Sequence, residues 1–483
     1  MDANARKIIL LEANEVPFKV IDYYAQSTNG PLARFLKNSA QYLTHCPDEI
    51  ELDPWISWPT LHRGVVDSKH NILHLGQSLE KANSDYPAIW DILSRNGVKC
   101  GVFGSLHSST APANINDFAF YVPDFFAHES FAHPKALEPF QDFNLAMTRR
   151  SARNVDRGFP KSETIGFLKS APKIGIKTST AMKLAQQLVE ERVEPLRKIR
   201  RRSIQPLLGL DVFIDQLESN RPDFATFYTN HVAANMHRYW AAAFPDDPNG
   251  SIVEEQWQEI YGDEIRHAMS VLETIVERLV DFTKKHPEYV LVFASSIGQA
   301  AVSSSHTDGF YTITDLTKFM SAMGVEEEDF EERFTMVPCR SVMVSKDKIN
   351  GMCDRMNSLV FGNNRLAETV TETPPLSYDR KDDSSIQLYI YFDHYDGPTN
   401  GMLGDTPVSF EDVGIGWFEH EDNVACTAHH IPEGSLIIFD PTLDRVHNDG
   451  RPLVNTTAIA PAILANFGLT TPEYMNSEGF SIR

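Results

Sequence analysis

Phe224-Ala-Thr-Phe-Tyr-Thr-Asn-His-Val-Ala-Ala-Asn-Met-His-Arg-Tyr-Trp240 is the stretch of this 483-residue sequence that decides its fold. Its first part, residues 224–228, is apolar and rich in β-forming residues, which is typical of a buried parallel strand. Polar side chains follow at once: Asn230, His231, His237 and Arg238. Because ligands of open α/β sheets bind beyond the carboxyl ends of the strands, we expect a functional site here.

Neighbouring segments predict the rest of the sheet. Residues 7–11 form a short apolar run that ends in acidic and amide side chains. Residues 87–97 have helical periodicity and a closing glycine, and residues 98–104 read as the next strand. A strand, a helix and a strand at this spacing form a βαβ unit, so the sheet is at least partly parallel.

The distribution of strand signals predicts a core with two insertions. Strand-forming runs become rare between residues 125 and 220, where charged and amphipathic helical patterns dominate. Between residues 301 and 425, strand-forming runs alternate with acidic segments of helical pattern. The expected organisation is a core formed in three parts, interrupted by a helical insertion and by a mixed α/β cap. The corresponding boundaries are 1–124 for the core, 125–220 for the helical insertion, 221–300 for the core, 301–425 for the cap and 426–483 for the core.

Composition limits the classes of partner. Apolar residues make up 42% and charged residues 23%, as in ordinary globular proteins, and the formal net charge is −22. This charge argues against nucleic acid and against anionic membrane as general partners, although a local pocket can still be positive. The only dense basic run, residues 197–203, offers an anion site, but a solvated helix face is the preferred interpretation.

Cysteine usage and hydropathy indicate the compartment. The five cysteines are scattered, and no pair has metal-site spacing, which favours reduced thiols. The apolar run at residues 8–11 is too short for a signal peptide, and no run is long enough to span a membrane. We therefore expect a cytoplasmic protein. The oligomeric state is left open.

Six segments in order resemble the alkaline phosphatase superfamily, most closely its type I phosphodiesterase and nucleotide pyrophosphatase branch. They lie in the expected core, which makes up about half of the chain, and each alone is a weak signal: Trp58 to Ile72, Ile89 to Gly97, His237-Arg-Tyr-Trp240, Leu291 to Gln299, His430 to Leu436, and Thr457 to Leu469. The resemblance implies a three-layer α/β/α sandwich with a mostly parallel sheet.

The sequence departs from the family's two-metal pattern. The positions that correspond to one metal and its nucleophile are Asn14, Pro54, Ser296 and Ile297, and proline offers no nucleophile. A two-metal site is therefore not expected.

The histidines of the second metal are retained. They are His237 and His430, with His429 as an alternative one residue away. The resemblance implies one zinc-like divalent ion bound by His237, His430 and His231, with Glu15 or Glu12 reaching in. The alternative is a polar pocket in which the histidines hydrogen-bond to one another without any metal.

The predicted reaction is hydrolysis or group transfer on a phosphate ester, a sulfate ester or a sugar-linked anion. His237 or His231 would act as general base, and Ser57 or Thr60 would replace the missing nucleophile. The substrate, a small molecule or a saccharide, would contact Asn14, Arg63, Asn230, Arg238 and Ser296. The competing prediction is a binding or scaffold protein on the same fold that has lost catalysis.

Overall fold

The structure is a computed structural model. It describes residues 5–150, 154–155, 158–303, 309–336, 338–368, 375–381, 383–393, 395–422, 426–443, 450–475 and 479–482.

The first part of the chain alternates strands and helices. Its strands are β1 (Lys7–Ala13), β2 (Ala40–His45), β3 (Cys100–Phe103) and β4 (Phe120–Val122). Its helices are α1 (Phe18–Thr28), α2 (Pro31–Lys37), α3 (Pro54–Arg63), α4 (Asp67–His70), α5 (Glu80–Asp85) and α6 (Ile89–Arg95).

The next segment is helical. It contains α7 (Glu138–Arg150), α8 (Lys161–Ser170), α9 (Thr178–Val193), α10 (Arg201–Ile204) and α11 (Pro206–Asn220). The chain then returns to the core with β5 (Phe224–Thr229), α12 (His231–Ala243), α13 (Glu255–Tyr261), α14 (Glu264–Lys285), β6 (Tyr289–Ala294) and β7 (Gly298–Ala301).

The cap and the carboxyl-terminal part complete the chain. The cap has strands β8 (Gly309–Ile313), β9 (Phe330–Arg333), β10 (Cys339–Val344), β11 (Leu359–Phe361), β12 (Asn364–Arg365), β13 (Ala367–Glu368), β14 (Leu376–Arg380), β15 (Ser385–Ile390), β16 (Phe392–Asp393), β17 (Asn400–Leu403), β18 (Thr406–Ser409) and β19 (Ile415–Glu419). Its helices are α15 (Leu316–Ala322) and α16 (Ile349–Met356), and the chain closes with β20 (Ala428–Ile431), β21 (Glu433–Phe439), β22 (Leu453–Asn455) and α17 (Ile459–Asn466).

Eight strands form the central sheet, in the order β22-β2-β21-β6-β1-β5-β3-β4. Every neighbouring pair is parallel except the two that β21 makes with β2 and β6. Along β1, Ile8 and Leu10 belong to one hydrophobic cluster, and Ile9 and Leu11 belong to the other. Alternate residues of a strand point to opposite faces, so helices cover both faces. The predicted three-layer α/β/α sandwich with a mostly parallel sheet is confirmed.

The sheet brings three strand ends together. In the parallel register, Ala13 of β1 lies opposite Thr229 of β5, and Glu12 lies opposite Ala294 of β6. The loops that follow β1, β5 and β6 therefore leave the sheet at one edge. The short strand β7 follows β6 and pairs with β20, with His430 opposite Gln299.

The basic run at residues 197–203 proves to be neither a solvated face nor an anion site. Arg197 and Arg200 pair with Glu264, whose side chain is buried, and Arg201 pairs with Glu191. Arg202 and Lys198 pair with Glu421, near the carboxyl-terminal end of the cap. Their charges are thus compensated by carboxylates distant in sequence, which sequence periodicity does not reveal.

The cap has its own hydrophobic core, with Ile386, Leu388 and Ile390 of β15 among its buried residues. It contains a five-stranded, a four-stranded and a three-stranded sheet. All five cysteines are free thiols. Within the described ranges, no helix combines the length and the apolar character that crossing a membrane requires.

Candidate functional site

Glu15 occupies an unusual backbone position beyond the end of β1. Its φ angle is 58°, in the left-handed region, and its side chain is buried, with 2% of the residue exposed. This conformation costs a non-glycine residue on the order of 1–2 kcal/mol, so the surrounding structure must maintain it. Residues held in such conformations often belong to functional sites.

The Glu15 carboxylate lies between two imidazoles. Its Oε2 atom is 3.0 Å from His237 Nε2 and 3.3 Å from His430 Nε2. Gln299 donates to the same oxygen, and Asn14 Nδ2 donates to Oε1 at 2.6 Å. We call Glu15, His237 and His430 the Glu–His–His cluster; one potential ligand atom from each lies within 4.8 Å of the other two.

Two different elements deliver the histidines. His237 lies on α12, where its Nδ1 is 2.9 Å from the Ala428 carbonyl oxygen. His430 lies on β20, where its Nδ1 is 3.2 Å from Asp53 Oδ1. Both rings therefore present Nε2 to Glu15, but only the Nδ1–H of His237 is held by a hydrogen bond, since His430 Nδ1 lies near Asp53 without one. The bond at Nδ1 leaves Nε2 of His237 as the atom available to a metal.

Burial and charge shift the pKa values in the cluster. Burial opposes ionisation of Glu15, but the charges of His430 and His237 outweigh it, and the pKa of Glu15 falls well below its usual value. Burial likewise opposes the charged form of His237, yet the Glu15 carboxylate raises its pKa well above the usual value. The pair is therefore stable as carboxylate and imidazolium when no cation lies between them.

Asp53, next to His430, carries the opposite shift. Burial, a hydrogen bond that protonated Asp53 donates to Glu51, and the charges of Glu51 and Glu15 raise its pKa to about 9. The carboxyl group is therefore protonated at neutral pH. Negative charge is in excess on this side of the cluster, and a bound cation would offset it.

Asn14 connects the cluster to a network of side-chain hydrogen bonds. Asn14 Nδ2 donates to Asn230 Oδ1 at 2.7 Å, and Trp58 Nε1 donates to Asn14 Oδ1 at 2.7 Å. Trp58 is fully buried, so α3 fixes the amide that in turn donates to Glu15. Asn14 and Asn230, both predicted to bind substrate, thus lie beside the cluster.

The predicted hydroxyl groups are bonded inside the protein. Ser57 Oγ and Ser296 Oγ lie 2.8 Å apart, and both residues are fully buried. Thr60 Oγ1 donates to Asp48 at 2.7 Å and lies 2.9 Å from His70 Nε2. His70 Nδ1 accepts from the Ile72 amide, so its Nε2 carries the proton and cannot act as a base for Thr60.

The structure does not bring His231 to the cluster. Its Nδ1 bonds Thr229 Oγ1 at 2.6 Å, and its Nε2 bonds the Ala268 carbonyl oxygen at 3.1 Å. His237 lies six positions further along α12, which turns the two side chains about 120° apart around the helix axis. Burial lowers the pKa of His231 to about 3, so it is a neutral structural histidine.

Neither predicted arginine reaches the cluster. Arg63 is buried and donates to the carbonyl oxygens of Ala82 and Tyr86 and to Asn83 Oδ1, at the end of α5. Arg238 follows His237 but turns to the Ala234 carbonyl oxygen and to Asp422. Glu12 is likewise directed elsewhere: it bonds His62 Nε2 at 2.7 Å.

Sequence reasoning missed two neighbours of the cluster. Asp53 precedes the proline at the start of α3, where it reads as an ordinary helix cap, yet its side chain makes no capping hydrogen bond. Gln299 lies on β7, and only the pairing of β7 with β20 places it near Glu15. For Asp53, the available sequence signal was its position directly before a helix that begins with proline.

The donor set fits a divalent ion. Two imidazole nitrogens and one carboxylate oxygen are the protein ligands of several catalytic zinc sites. Ligands about 2.0–2.1 Å from a tetrahedral ion are separated by roughly 3.3 Å, close to both distances from Glu15 Oε2.

Comparisons with known proteins find no sequence match and only weak similarity to solved structures. No family model matches the sequence, and no curated protein matches it. The chain is similar to murine ectonucleotide pyrophosphatase/phosphodiesterase 5, with 11% identity, a TM-score of 0.42 and 98% of each chain covered. The human protein of that name gives 10% identity, a TM-score of 0.40 and coverage of 98% of this chain and 97% of its own. These likenesses do not identify a substrate or a reaction.

Proposed function

We propose that this chain is a hydrolase or group-transfer enzyme in which Glu15, His237 and His430 hold one zinc-like divalent ion. Its substrate would be a phosphate ester, a sulfate ester or a sugar-linked anion. The observation that carries the proposal is the orientation of the two imidazoles, whose Nε2 atoms converge on Glu15 Oε2, while Nδ1 of His237 is bonded to the Ala428 carbonyl oxygen.

The charge of the donor set favours an anionic substrate. One carboxylate and two neutral imidazoles compensate only one of the two charges of a divalent ion. Three protein ligands also leave a fourth position open. When bound, such an ion would supply a Lewis acid that polarises the ester oxygen and activates water.

The residues of the chain would mainly position the substrate. Asn230 is partly exposed beside Asn14, so its amide can contact a bound anion. Because Ser57 and Thr60 are buried, we propose direct attack by water without a covalent intermediate.

The proposal is tested by elemental analysis of the purified protein combined with turnover assays. We expect about one ion per chain, and hydrolysis of an aryl phosphodiester or an aryl sulfate that a chelator abolishes. His237→Ala and Glu15→Gln should lose both properties. His429→Ala is the matched control, because this exposed histidine neighbours His430 on β20 and should retain both.

One observation favours the alternative of a binding protein. Both candidate hydroxyl nucleophiles are buried and bonded elsewhere, Ser57 to Ser296 and Thr60 to Asp48. Protein that carries no metal and turns over neither ester, yet binds sulfate in a manner that depends on His237, would contradict the enzyme proposal and support this alternative.

A further inference from the structure

The five-stranded sheet of the cap has two different faces. Val342 of β10 and Ile386 and Leu388 of β15 are fully buried in the hydrophobic core of the cap. Alternate residues of a strand point to opposite sides, so the residues between them belong to the other face. We call this other face the polar face, and its half-buried members are Cys339, Ser341, Asp379, Gln387 and Tyr389.

Three residues of the polar face form a row across neighbouring strands. Gln387 of β15 lies opposite Ser341 of β10 on one side and opposite Asp379 of β14 on the other. Asp379 also pairs with Lys381. Neighbouring strands are about 4.8 Å apart, so the row presents a hydroxyl, an amide and a carboxylate at that spacing.

The polar face is directed toward the core of the protein. A Cβ atom placed on Gly76, in the loop between α4 and α5, would lie 3.6 Å from Arg333 Cβ and 4.0 Å from Ser341 Oγ. Arg333 of β9 is the residue opposite Ser341. Two positions earlier on the same strand, Glu331 Oε1 is 2.6 Å from His128 Nε2 of the core. Loops of the core therefore cover part of this face.

One end of the polar face lies beside the Glu–His–His cluster. Burial and, at the high pH where a thiol ionises, the carboxylates of Asp53 and Glu51 raise the pKa of Cys339 to about 11. Asp53 Oδ1 is in turn 3.2 Å from His430 Nδ1. Tyr389 lies opposite Cys339, and directly opposed side chains on antiparallel strands are about 5 Å apart. The polar face thus continues from the cluster.

Aromatic side chains extend away from Tyr389. The ring of Tyr391 is 6.1 Å from that of Tyr389 and 4.7 Å from that of Phe310, which is 5.3 Å from Phe418. Tyr389, Tyr391 and Phe418 are each half-buried, whereas Phe310 is buried between them. Partly exposed rings therefore adjoin the row of polar groups.

This combination suits a sugar. A sugar ring presents C–H groups that pack on aromatic rings, and its hydroxyl groups bond amides, hydroxyls and carboxylates. A flat aromatic group would pack on Tyr389 but would leave the row of Ser341, Gln387 and Asp379 without matching hydrogen-bond partners. The carboxylate of Asp379 disfavours a second anionic group at the same place.

We propose that the polar face of the cap binds the sugar of a sugar phosphate or sugar sulfate, a proposal that rests on the proposed function for the anionic end of that substrate. The ester group would lie at the Glu–His–His cluster, and the sugar would lie between the core and the row of Ser341, Gln387 and Asp379.

Kinetics with matched esters test the proposal. The sugar substrates are the 6-phosphates and 6-sulfates of glucose and N-acetylglucosamine, and phenyl phosphate and phenyl sulfate lack a sugar. We expect a wild-type KM about tenfold lower for the sugar esters, from two or three additional contacts. Gln387→Met keeps the side-chain volume and should raise KM about fivefold for the sugar esters alone, with kcat unchanged.

The aromatic contact has its own pair of variants. Tyr389→Leu removes the ring and should raise KM for the sugar esters about tenfold, whereas Tyr389→Phe keeps the ring and should stay close to the wild-type value. Trp417→Leu is the matched control, because Trp417 is 48% exposed on the same cap and adjacent residues of β19 point to opposite sides, Trp417 away from Phe418. It should retain both KM values, and all variants should retain bound metal.

Two kinetic results would overturn the proposal: a wild-type KM that is no lower for the sugar esters, or a Gln387→Met variant whose KM changes equally for sugar and phenyl esters. Protein without metal or turnover would instead contradict the proposed function, and equilibrium dialysis of the same sugar esters then decides about the polar face. Binding weakened by Gln387→Met and unchanged by Trp417→Leu would support the sugar site, whereas absent binding or equal binding by both variants would overturn it.

Discussion

Replacing His231 by Gln tests the structural role that the fold assigns to this histidine. The Ala268 carbonyl oxygen can only accept, so Nε2 of His231 carries a proton, and because burial keeps the ring neutral, Nδ1 accepts from the Thr229 hydroxyl. A glutamine side chain also offers one acceptor and one donor. We therefore expect His231→Gln to fold and to retain metal content and turnover, whereas a ligand or general base could not be replaced without loss.

The same substitution should change how stability depends on pH. Burial lowers the pKa of His231 to about 3, from about 6.5 in an unfolded chain. A group with a depressed histidine pKa contributes stability that is present above pH 6.5 and is lost as the pH falls. At pH 5 the unfolded chain binds a proton that the folded chain does not, which costs about 2 kcal/mol.

Urea unfolding between pH 7.5 and pH 4.5 measures this difference. The free energy of unfolding of the wild-type protein should fall more steeply with acid than that of His231→Gln, by about 1.4 kcal/mol per pH unit below pH 6. His45→Gln, at a ring whose side chain is 37% exposed, controls for the loss of a histidine. The structural role of His231 would be refuted if the free energy of unfolding had the same pH dependence in the wild-type protein and in His231→Gln, or if His231→Gln lost bound metal.

Three further predictions concern other residues of the site and its surroundings. Glu15→Gln should lower metal affinity by at least tenfold in a competition titration, because the carboxylate is the only charged ligand of the cluster; unchanged affinity would place the ion elsewhere. Arg63→Met should lower the free energy of unfolding by about 3 kcal/mol without raising KM, since Arg63 bonds carbonyl oxygens near α5; a selective rise in KM would restore its substrate role. Trp58→Phe removes the donor to Asn14 and should cost about 1–2 kcal/mol in thermal unfolding, and no loss would show that the amide network is not stabilising.

The sequence by itself determined the strands and their polar ends. Short apolar runs such as residues 7–11 and 289–294 are long enough only for strands, and helical periodicity between them implies parallel connections. Parallel strands end at one edge, so the polar residues after β1, β5 and β6 had to meet there. That reasoning needs only local patterns and predicts an at least partly parallel α/β sheet, whereas the three-layer sandwich was an implication of the family resemblance.

Only the tertiary structure decided which of those polar residues face one another. His430 rather than His429 meets Glu15, because adjacent residues of β20 point to opposite faces and its pairing with β7 fixes which face is inward. The positive φ of Glu15 and the rotation of His231 around α12 are likewise settled by packing. The physical reason is that the direction in which a side chain points depends on the register and the burial of its helix, strand or turn. Contacts with distant segments of the chain determine both.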